Sequence, residues 1–244
     1  MLFLFASIID VIKIRIFEIM STYNIENKKI SSNTFIFPTF LLIIICIIKT
    51  YEINMGHNLS HLGVLPRDLD GLKGIILSPF IHGSTKHLFN NLIPLFFLTS
   101  ALIHFYDHLG YKILLTIYIF SGILLWFIGR ENFHIGASGI IYGLASFMFF
   151  SGIFRRNTQL LSFSLLITFL YGGMVWGIFP ETVKPNVSWE GHLSGAIIGF
   201  ISSIIYLKKG PQRKEYAWEN EEDEEDQGNQ GNQGDVNYHY EIID

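Results

Sequence analysis

The segment 134–144, "HIGASGIIYGL", opens one of several long uncharged stretches in this sequence and carries a serine among small residues. Ser138 stands directly before Gly139, and Gly143 follows four residues later. Small residues at this spacing let two membrane helices approach closely, and a serine in such a helix usually packs there or bonds to a carbonyl one turn back. The segment therefore allows two interpretations of Ser138, as a packing residue or as a nucleophile inside a membrane helix.

The composition around this segment is typical of an integral membrane protein. Half of the 244 residues are hydrophobic and only 16% are charged, whereas a soluble domain carries about a quarter of charged residues. Six stretches lack Asp, Glu, Lys and Arg altogether: residues 30–48, 87–106, 113–129, 132–154, 157–180 and 191–207. Each is close to the ~20 residues that a helix needs to cross a bilayer. We therefore predict an all-α membrane protein with six transmembrane helices.

The two ends of the chain differ from this hydrophobic region. Four charged residues interrupt the first twenty positions, which favours an interfacial segment over a seventh span. The acidic run "ENEEDEED" (219–226) precedes a Gln- and Gly-rich stretch that is typical of a solvated tail. The expected organisation is an N-terminal cytoplasmic or interfacial segment (1–33), a six-helix membrane domain (34–207) and a disordered acidic tail (208–244).

Positive charges predict which side of the membrane each loop faces. Basic pairs precede the first span (Lys28 and Lys29) and separate the fourth from the fifth (Arg155 and Arg156), and four more basic residues follow the sixth. Cytoplasmic loops carry the excess of Lys and Arg, so both termini are predicted to be cytoplasmic. The second, fourth and sixth spans then begin at the outer face.

This topology brings four polar side chains to one depth, just below the outer surface. At 1.5 Å per residue, His87 and Asn91 fall within the first turns of the second span, Ser138 of the fourth and His192 of the sixth. Ionisable residues inside a span are costly and are functional by default expectation. The shared depth therefore favours a site over four unrelated packing residues.

Glycine spacing suggests that the fourth and sixth spans touch. Glycines recur every fourth residue in both spans: Gly139 and Gly143 in the fourth, and Gly191, Gly195 and Gly199 in the sixth. Such stripes let two backbones meet closely, which would bring Ser138 within hydrogen-bonding distance of His192. A serine and an imidazole at that distance form the nucleophile–base pair of acyl transfer.

The remaining candidates keep two interpretations each. Tyr142 lies one turn after Ser138 and can stack on His192 or serve as an ordinary packing aromatic. His87 and Asn91 share a face and, with the Ser138 N–H, can donate to an oxyanion, or they form an interhelical polar clamp. Neither the fourth nor the sixth span contains a carboxylate that would complete a triad. The other histidines are expected in loops or interfaces, with His82 bracing the outer loop.

Together these residues resemble the rhomboid intramembrane serine proteases over roughly residues 35–207. The matching motifs occur in the family's order: H-x-x-x-N (87–91), "GASG" (136–139) and "GH" (191–192) followed by spaced glycines. One departure concerns the first outer loop, where many members carry a Trp-Arg pair. Pro66 and Arg67 occupy that region here, which leaves the anchoring of the loop open.

The resemblance implies a six-helix rhomboid-like bundle in which Ser138 and His192 form a catalytic dyad. It also implies that His87 and Asn91 help to bind the oxyanion and that Tyr142 packs against His192. The implied activity is a hydrolase, a serine endopeptidase that cleaves transmembrane segments of membrane protein substrates within the lipid bilayer. The likeness to short bacterial members implies the bacterial cell (inner) membrane.

Other functions fit the sequence less well. A zinc protease would need H-E-x-x-H, which is absent, and no metal, cofactor or nucleic acid is expected. A transporter is disfavoured because repeat symmetry and broken helices are missing. The alternative that stays open is a non-catalytic rhomboid-like membrane protein that binds transmembrane clients. The substrate, its cleavage motif and the oligomeric state are not specified by the sequence.

Overall fold

A computed structural model describes residues 33–170, 176–184 and 187–211, and this part of the chain is helical. Within these ranges, six helices are longer than one turn: α1 (Asn33–Met55), α2 (Thr85–Tyr106), α3 (His108–Ile128), α4 (Ser138–Phe154), α5 (Thr158–Leu170) and α6 (Trp189–Ile205). A one-turn helix, Gly74–Leu77, and short 3-10 turns lie in the connections. The expected interfacial segment and nearly all of the acidic tail lie outside the described residues.

Three of these helices are long and apolar enough to cross a membrane. They are α1 from Thr34 onward, α2 and α3, with 22, 22 and 21 residues. Two further apolar helices, α4 and α5, are shorter. The 17 residues of α4 rise only about 25 Å, because the uncharged stretch that begins at residue 132 forms a loop as far as Ala137. Large apolar side chains on the outside of the bundle, including Ile36, Ile47, Phe169 and Ile205, are exposed, as expected for an integral membrane protein.

The helices depart from the uncharged stretches in two places. The first helix continues past residue 48 to Met55, and its charged residues Lys49 and Glu52 are buried and paired at 2.6 Å. The stretch 157–180 is not a single helix, because residues 176–182 form two 3-10 turns. Pro180 begins the second of these turns, and a proline cannot donate the backbone hydrogen bond that an α-helix interior requires.

The core surrounds α4, which packs against α2, α3, α5 and most extensively against α6. The fully buried side chains at its centre come from three helices: Leu98, Leu102, Ile113, Ile117, Leu144, Phe147 and Met148. Burial of this surface inside a membrane reflects packing rather than exclusion from water. The packing of α6 on α4 therefore sets the positions of the side chains that α6 carries.

Glycines account for the close contact between α4 and α6. A Cβ atom on Gly195 would lie 1.9 Å from the carbonyl oxygen of Gly139, and one on Gly199 would lie 2.1 Å from that of Gly143. Real side chains do not tolerate such distances, so these backbones meet without intervening atoms. The carbonyl oxygen of Gly191 lies at the outer end of the same contact, 3.2 Å from a Cβ built on Gly139.

The first outer loop is anchored to the end of α3 by Arg67 and Trp126. Arg67 Nη1 donates to the carbonyl oxygen of Gly129 at 2.6 Å and to that of Phe127 at 3.3 Å. In the opposite direction, Trp126 Nε1 donates to the carbonyl oxygen of Asp68 at 2.8 Å. A tryptophan and an arginine thus fasten this loop, although the tryptophan is contributed by α3 rather than by the loop itself.

Candidate active site

The side chains of Ser138 and His192 are in direct contact at the outer end of the α4–α6 interface. His192 Nε2 lies 3.0 Å from Ser138 Oγ. Ser138 is the first residue of α4 and is half-buried, whereas His192 lies in the first turn of α6 and is buried. The separation is that of a hydrogen bond between a nucleophile and a base.

The second ring nitrogen of His192 has a partner that fixes the tautomer. Nδ1 lies 2.8 Å from the carbonyl oxygen of Gly177, in the 3-10 turn Trp176–Ile178. A carbonyl oxygen only accepts hydrogen bonds, so Nδ1 carries the hydrogen and Nε2 of the neutral ring is an acceptor. The Ser138 hydroxyl therefore donates to Nε2, which is the direction that proton abstraction requires.

Tyr142 holds the face of the same ring. Its ring stacks on the His192 ring with centroids 4.2 Å apart and planes 6° from parallel. Gly177 completes this packing, because a Cβ there would lie 1.9 Å from the Tyr142 hydroxyl oxygen and 3.3 Å from His192 Nδ1. The imidazole is thus fixed by a stacked ring and by a hydrogen bond at each nitrogen.

The loop before α4 shapes the space around Ser138. Gly136 has a φ of +109°, which a residue with a side chain rarely adopts, and its N–H donates to the carbonyl oxygen of Ser78 at 2.8 Å. The ring of His87 lies against it, since a Cβ on Gly136 would be 2.7 Å from His87 Cε1. The Ser138 N–H starts the helix and has no carbonyl partner within it. The His87 ring and the Ser138 N–H are therefore two hydrogen-bond donors in or beside the loop that precedes α4.

Asn91 is buried one turn further along α2. Its Nδ2 donates to the carbonyl oxygen of His87 at 2.8 Å, which uses one of the two amide hydrogens. This contact fixes the side chain against its own helix and leaves the second hydrogen for another acceptor.

His82 lies in the loop before α2, and its ring packs against the ring of His87. Its ring is 1% exposed, and the two ring centroids are 5.0 Å apart. Burial, together with the neighbouring His87, lowers the pKa of His82 to about 4. The carbonyl oxygen of His82 accepts a 2.7 Å hydrogen bond from Lys49 Nζ, which ties the segment before α2 to α1.

A cavity of about 30 Å³ lies beside Ser138, with room for one or two water molecules. Its polar side chains come from the first outer loop, α3, the loop before α4, the first residue of α4 and the residue before α6: Ser78, Tyr118, Ser121, His134, Ser138 and Ser188. Among the described residues, no group of three or more His, Cys, Asp or Glu side chains is placed to hold a metal ion.

The Gly177 carbonyl was not anticipated from the sequence. A search for a third catalytic group considers side chains, and a backbone carbonyl in a loop leaves no signal in residue type. The nearby buried carboxylate of Glu190, which is 2% exposed, was missed for another reason. Glu190 lies one residue before the uncharged stretch 191–207 that was expected to form the sixth span.

Comparison with known proteins identifies relatives of this chain. Residues 70–209 match the family model described as "Rhomboid domain". "Uncharacterized protein Rv1337" of Mycobacterium tuberculosis (strain ATCC 25618 / H37Rv) is 36% identical over an alignment of 175 residues, which covers 66% of this chain and 70% of the relative.

Two more distant relatives carry rhomboid names. "Putative rhomboid protein L523" of Acanthamoeba polyphaga mimivirus is 28% identical over 149 residues, covering 58% of this chain and 80% of the relative. "Putative rhomboid protease YdcA" of Bacillus subtilis (strain 168) is 28% identical over 145 residues, covering 57% and 69%. The family match itself spans more than half of the chain and contains both Ser138 and His192. This chain therefore belongs to the rhomboid family.

Proposed function

We propose that this chain is an intramembrane serine endopeptidase that cleaves transmembrane or membrane-adjacent segments of other membrane proteins. The observation that carries the proposal is the 3.0 Å contact between Ser138 Oγ and His192 Nε2, in a ring whose Nδ1 is committed to the Gly177 carbonyl. A serine becomes a nucleophile when an adjacent base, itself oriented by a third group, accepts its proton. The name of the Bacillus subtilis relative, "Putative rhomboid protease YdcA", supports the same activity.

The acylation step follows the direction of these hydrogen bonds. Ser138 Oγ attacks the scissile carbonyl carbon while its proton passes to His192 Nε2, and the carbonyl π electrons move onto the oxygen. The Nδ1–H of the imidazolium stays hydrogen-bonded to the Gly177 carbonyl oxygen. When the tetrahedral intermediate collapses, the C–N bond breaks, His192 gives the proton to the leaving nitrogen, and Ser138 holds the acyl group as an ester.

Deacylation uses the same groups with water as the nucleophile. His192 Nε2 takes a proton from the water, the water oxygen attacks the ester, and the proton returns to Ser138 Oγ as the acid leaves. The cavity beside Ser138 provides space for this water. The Ser138 N–H, His87 and the second amide hydrogen of Asn91 stabilise the oxyanion, each donor being worth ~10²–10³ in rate.

The proposed setting is a six-span domain in the bacterial cell membrane with both termini in the cytoplasm. The contacts of Arg155 support the parallel arrangement of α4 and α6 in this setting, because its guanidinium donates to the carbonyl oxygens of Tyr206 and Pro211 and so joins the C-terminal ends of the two helices. The dyad lies at the opposite, outer ends of the same helices. A substrate helix must unwind to expose a peptide bond, so segments rich in small, helix-destabilising residues are the expected targets.

Labelling with a fluorophosphonate probe tests the proposal on the purified protein in detergent. The wild type should label, and Ser138→Ala and His192→Ala should not. Ser146→Ala is the matched control, because it removes a hydroxyl two turns deeper on α4 whose hydrogen bond goes to the Ala196 carbonyl, and it should label like the wild type. A folded wild type that does not label would favour the non-catalytic protein that binds transmembrane clients.

A further inference from the structure

We propose that four side chains at the outer end of the bundle hold His192 at hydrogen-bonding distance from Ser138. These side chains, here named the outer clamp, are Arg130, His134, Ser188 and Glu190. The proposal rests on the proposed function, because it assigns positioning roles to groups that act through the dyad.

The outer clamp and the dyad join the same two segments of chain. His134 precedes Ser138 by four residues, and Ser188 precedes His192 by four. The hydrogen bond between His134 Nδ1 and Ser188 Oγ is 2.6 Å long, and the one between Ser138 and His192 is 3.0 Å. Both hydrogen bonds join the segment that contains Ser138 to the segment that contains His192. If the His134–Ser188 contact moves, the distance between Ser138 and His192 therefore changes.

The hydrogen atoms of the outer link have one consistent arrangement. His134 Nε2 lies 3.0 Å from the Arg130 carbonyl oxygen, which only accepts, so Nε2 carries the hydrogen. Nδ1 then accepts from the Ser188 hydroxyl, and Ser188 Oγ in turn accepts from the Gly191 N–H at 3.2 Å. Burial lowers the pKa of His134, which favours the neutral ring that this arrangement needs.

An ion pair holds the same turn of α6 from the other side. Glu190 is 2% exposed, and its Oε1 lies 3.3 Å from Arg130 Nε. Arg130 Nη2 also donates to the Val187 carbonyl oxygen at 2.6 Å. A carboxylate buried to this degree is costly unless it is paired, so the guanidinium fixes the residues on both sides of Ser188.

Backbone contacts connect the clamp to fixed points. His134 exchanges two backbone hydrogen bonds with Val64 of the first outer loop, at 2.8 and 3.0 Å. At the other end, the Ser188 carbonyl oxygen accepts from the His192 N–H at 3.3 Å. Ser188 therefore holds the backbone of the base through its carbonyl oxygen, while its hydroxyl is bound to His134.

Substitution of Ser188 tests whether the clamp positions the base. We expect Ser188→Ala to lower kcat for a transmembrane reporter substrate about 10–100-fold, with KM unchanged. Fluorophosphonate labelling should slow by the same factor. Both measurements are made well below the thermal midpoint of the variant. Ser188→Thr keeps the hydroxyl and should retain most of the wild-type kcat. Glu131→Gln is the matched control, because Glu131 is an exposed neighbour of the clamp, and its kcat should equal that of the wild type.

A second pair of variants keeps the test decisive if Ser188→Ala folds poorly. His134→Phe removes the partner of the hydroxyl, and the double variant with Ser188→Ala should lose no more kcat than the single variant if the two act as a unit. Wild-type kcat in either Ser188→Ala or His134→Phe, assayed below the midpoint of that variant, would overturn the clamp and leave the proposed function intact. A wild type that fails to label would instead overturn the proposed function.

Discussion

His192 Nδ1 lies 2.8 Å from the carbonyl oxygen of Gly177, and this contact gives the imidazole the acceptor that a carboxylate provides in a Ser-His-Asp triad. The acceptor belongs to the turn Trp176–Ile178, which precedes α6. Because the turn packs on Tyr142 as well as on His192, its position controls the orientation of the ring.

Gly177→Ala should lower kcat for a transmembrane reporter substrate by about 10–100-fold. The new Cβ would lie 1.9 Å from the Tyr142 hydroxyl oxygen, so either the turn shifts and carries its carbonyl away from His192 Nδ1, or the Tyr142 ring that stacks on His192 is displaced. A displacement of about 1 Å at a catalytic group can cost ~10²-fold in rate. The measurement is kcat together with the rate of fluorophosphonate labelling.

Gly83→Ala is the control for this glycine substitution. The nearest atom to a Cβ at Gly83 is Ile135 Cδ1, at 3.7 Å, which is an ordinary contact. This variant should keep the wild-type kcat. If Gly177→Ala also kept it, the carbonyl would have no part in orienting the base.

Gly195→Ala should reduce both stability and activity. Its Cβ would lie 1.9 Å from the Gly139 carbonyl oxygen, and overpacking of this kind costs about 1–3 kcal/mol. The helices must separate, so the Ser138–His192 hydrogen bond should lengthen and kcat should fall ~10²-fold. Cleavage assayed well below the thermal midpoint separates the two effects.

Ile204→Phe is the matched control on the same helix. Ile204 is 50% exposed, so added volume there points away from α4 and should leave kcat unchanged. Near-normal turnover by Gly195→Ala below its midpoint would show that the glycine contact does not set the dyad distance.

The sequence predicted the helical class and the contact of α4 with α6 because both depend on local patterns. Uncharged stretches indicate helices in a bilayer, and glycines four residues apart indicate a close backbone contact. Both patterns depend only on residue type and spacing, so the sequence alone was enough to predict these two features.

Features that depend on backbone atoms or on long-range charge pairing were not predictable in this way. The acceptor for His192 is a carbonyl in a loop, and α1 extends past residue 48 because Lys49 pairs with Glu52. Hydropathy treats these two charges as the end of a span, although pairing and burial allow them inside the helix.

Stability should fall on the acid side because of His82. Burial lowers its pKa from 6.5 to about 4. Between these two pH values the folded protein therefore binds fewer protons than the unfolded chain. The stabilisation is complete above about pH 6.5 and is lost as the pH falls towards 4, with a maximum of roughly 3 kcal/mol. The charged or titratable groups that act on this ring are Lys49, Glu52 and His87.

His82→Phe should flatten this acid limb, measured as the thermal midpoint in detergent between pH 7 and pH 4. His61→Phe is the control, because His61 is exposed in the first outer loop, and it should keep the wild-type pH dependence. An unchanged acid limb in His82→Phe would assign the proton uptake to another group.

Lys49→Met should be strongly destabilising because it leaves the buried Glu52 carboxylate without its cation. The two side chains are about 10% exposed and 2.6 Å apart, and removal of one partner of a buried pair costs about 3–5 kcal/mol. The double variant with Glu52→Met removes both charges and should recover most of the lost thermal midpoint. Glu131→Gln breaks the exposed pair with Arg67, whose atoms are 3.9 Å apart, and should cost less than about 1 kcal/mol. Equal midpoints for Lys49→Met and Glu131→Gln would mean that the pair in α1 is solvated rather than buried.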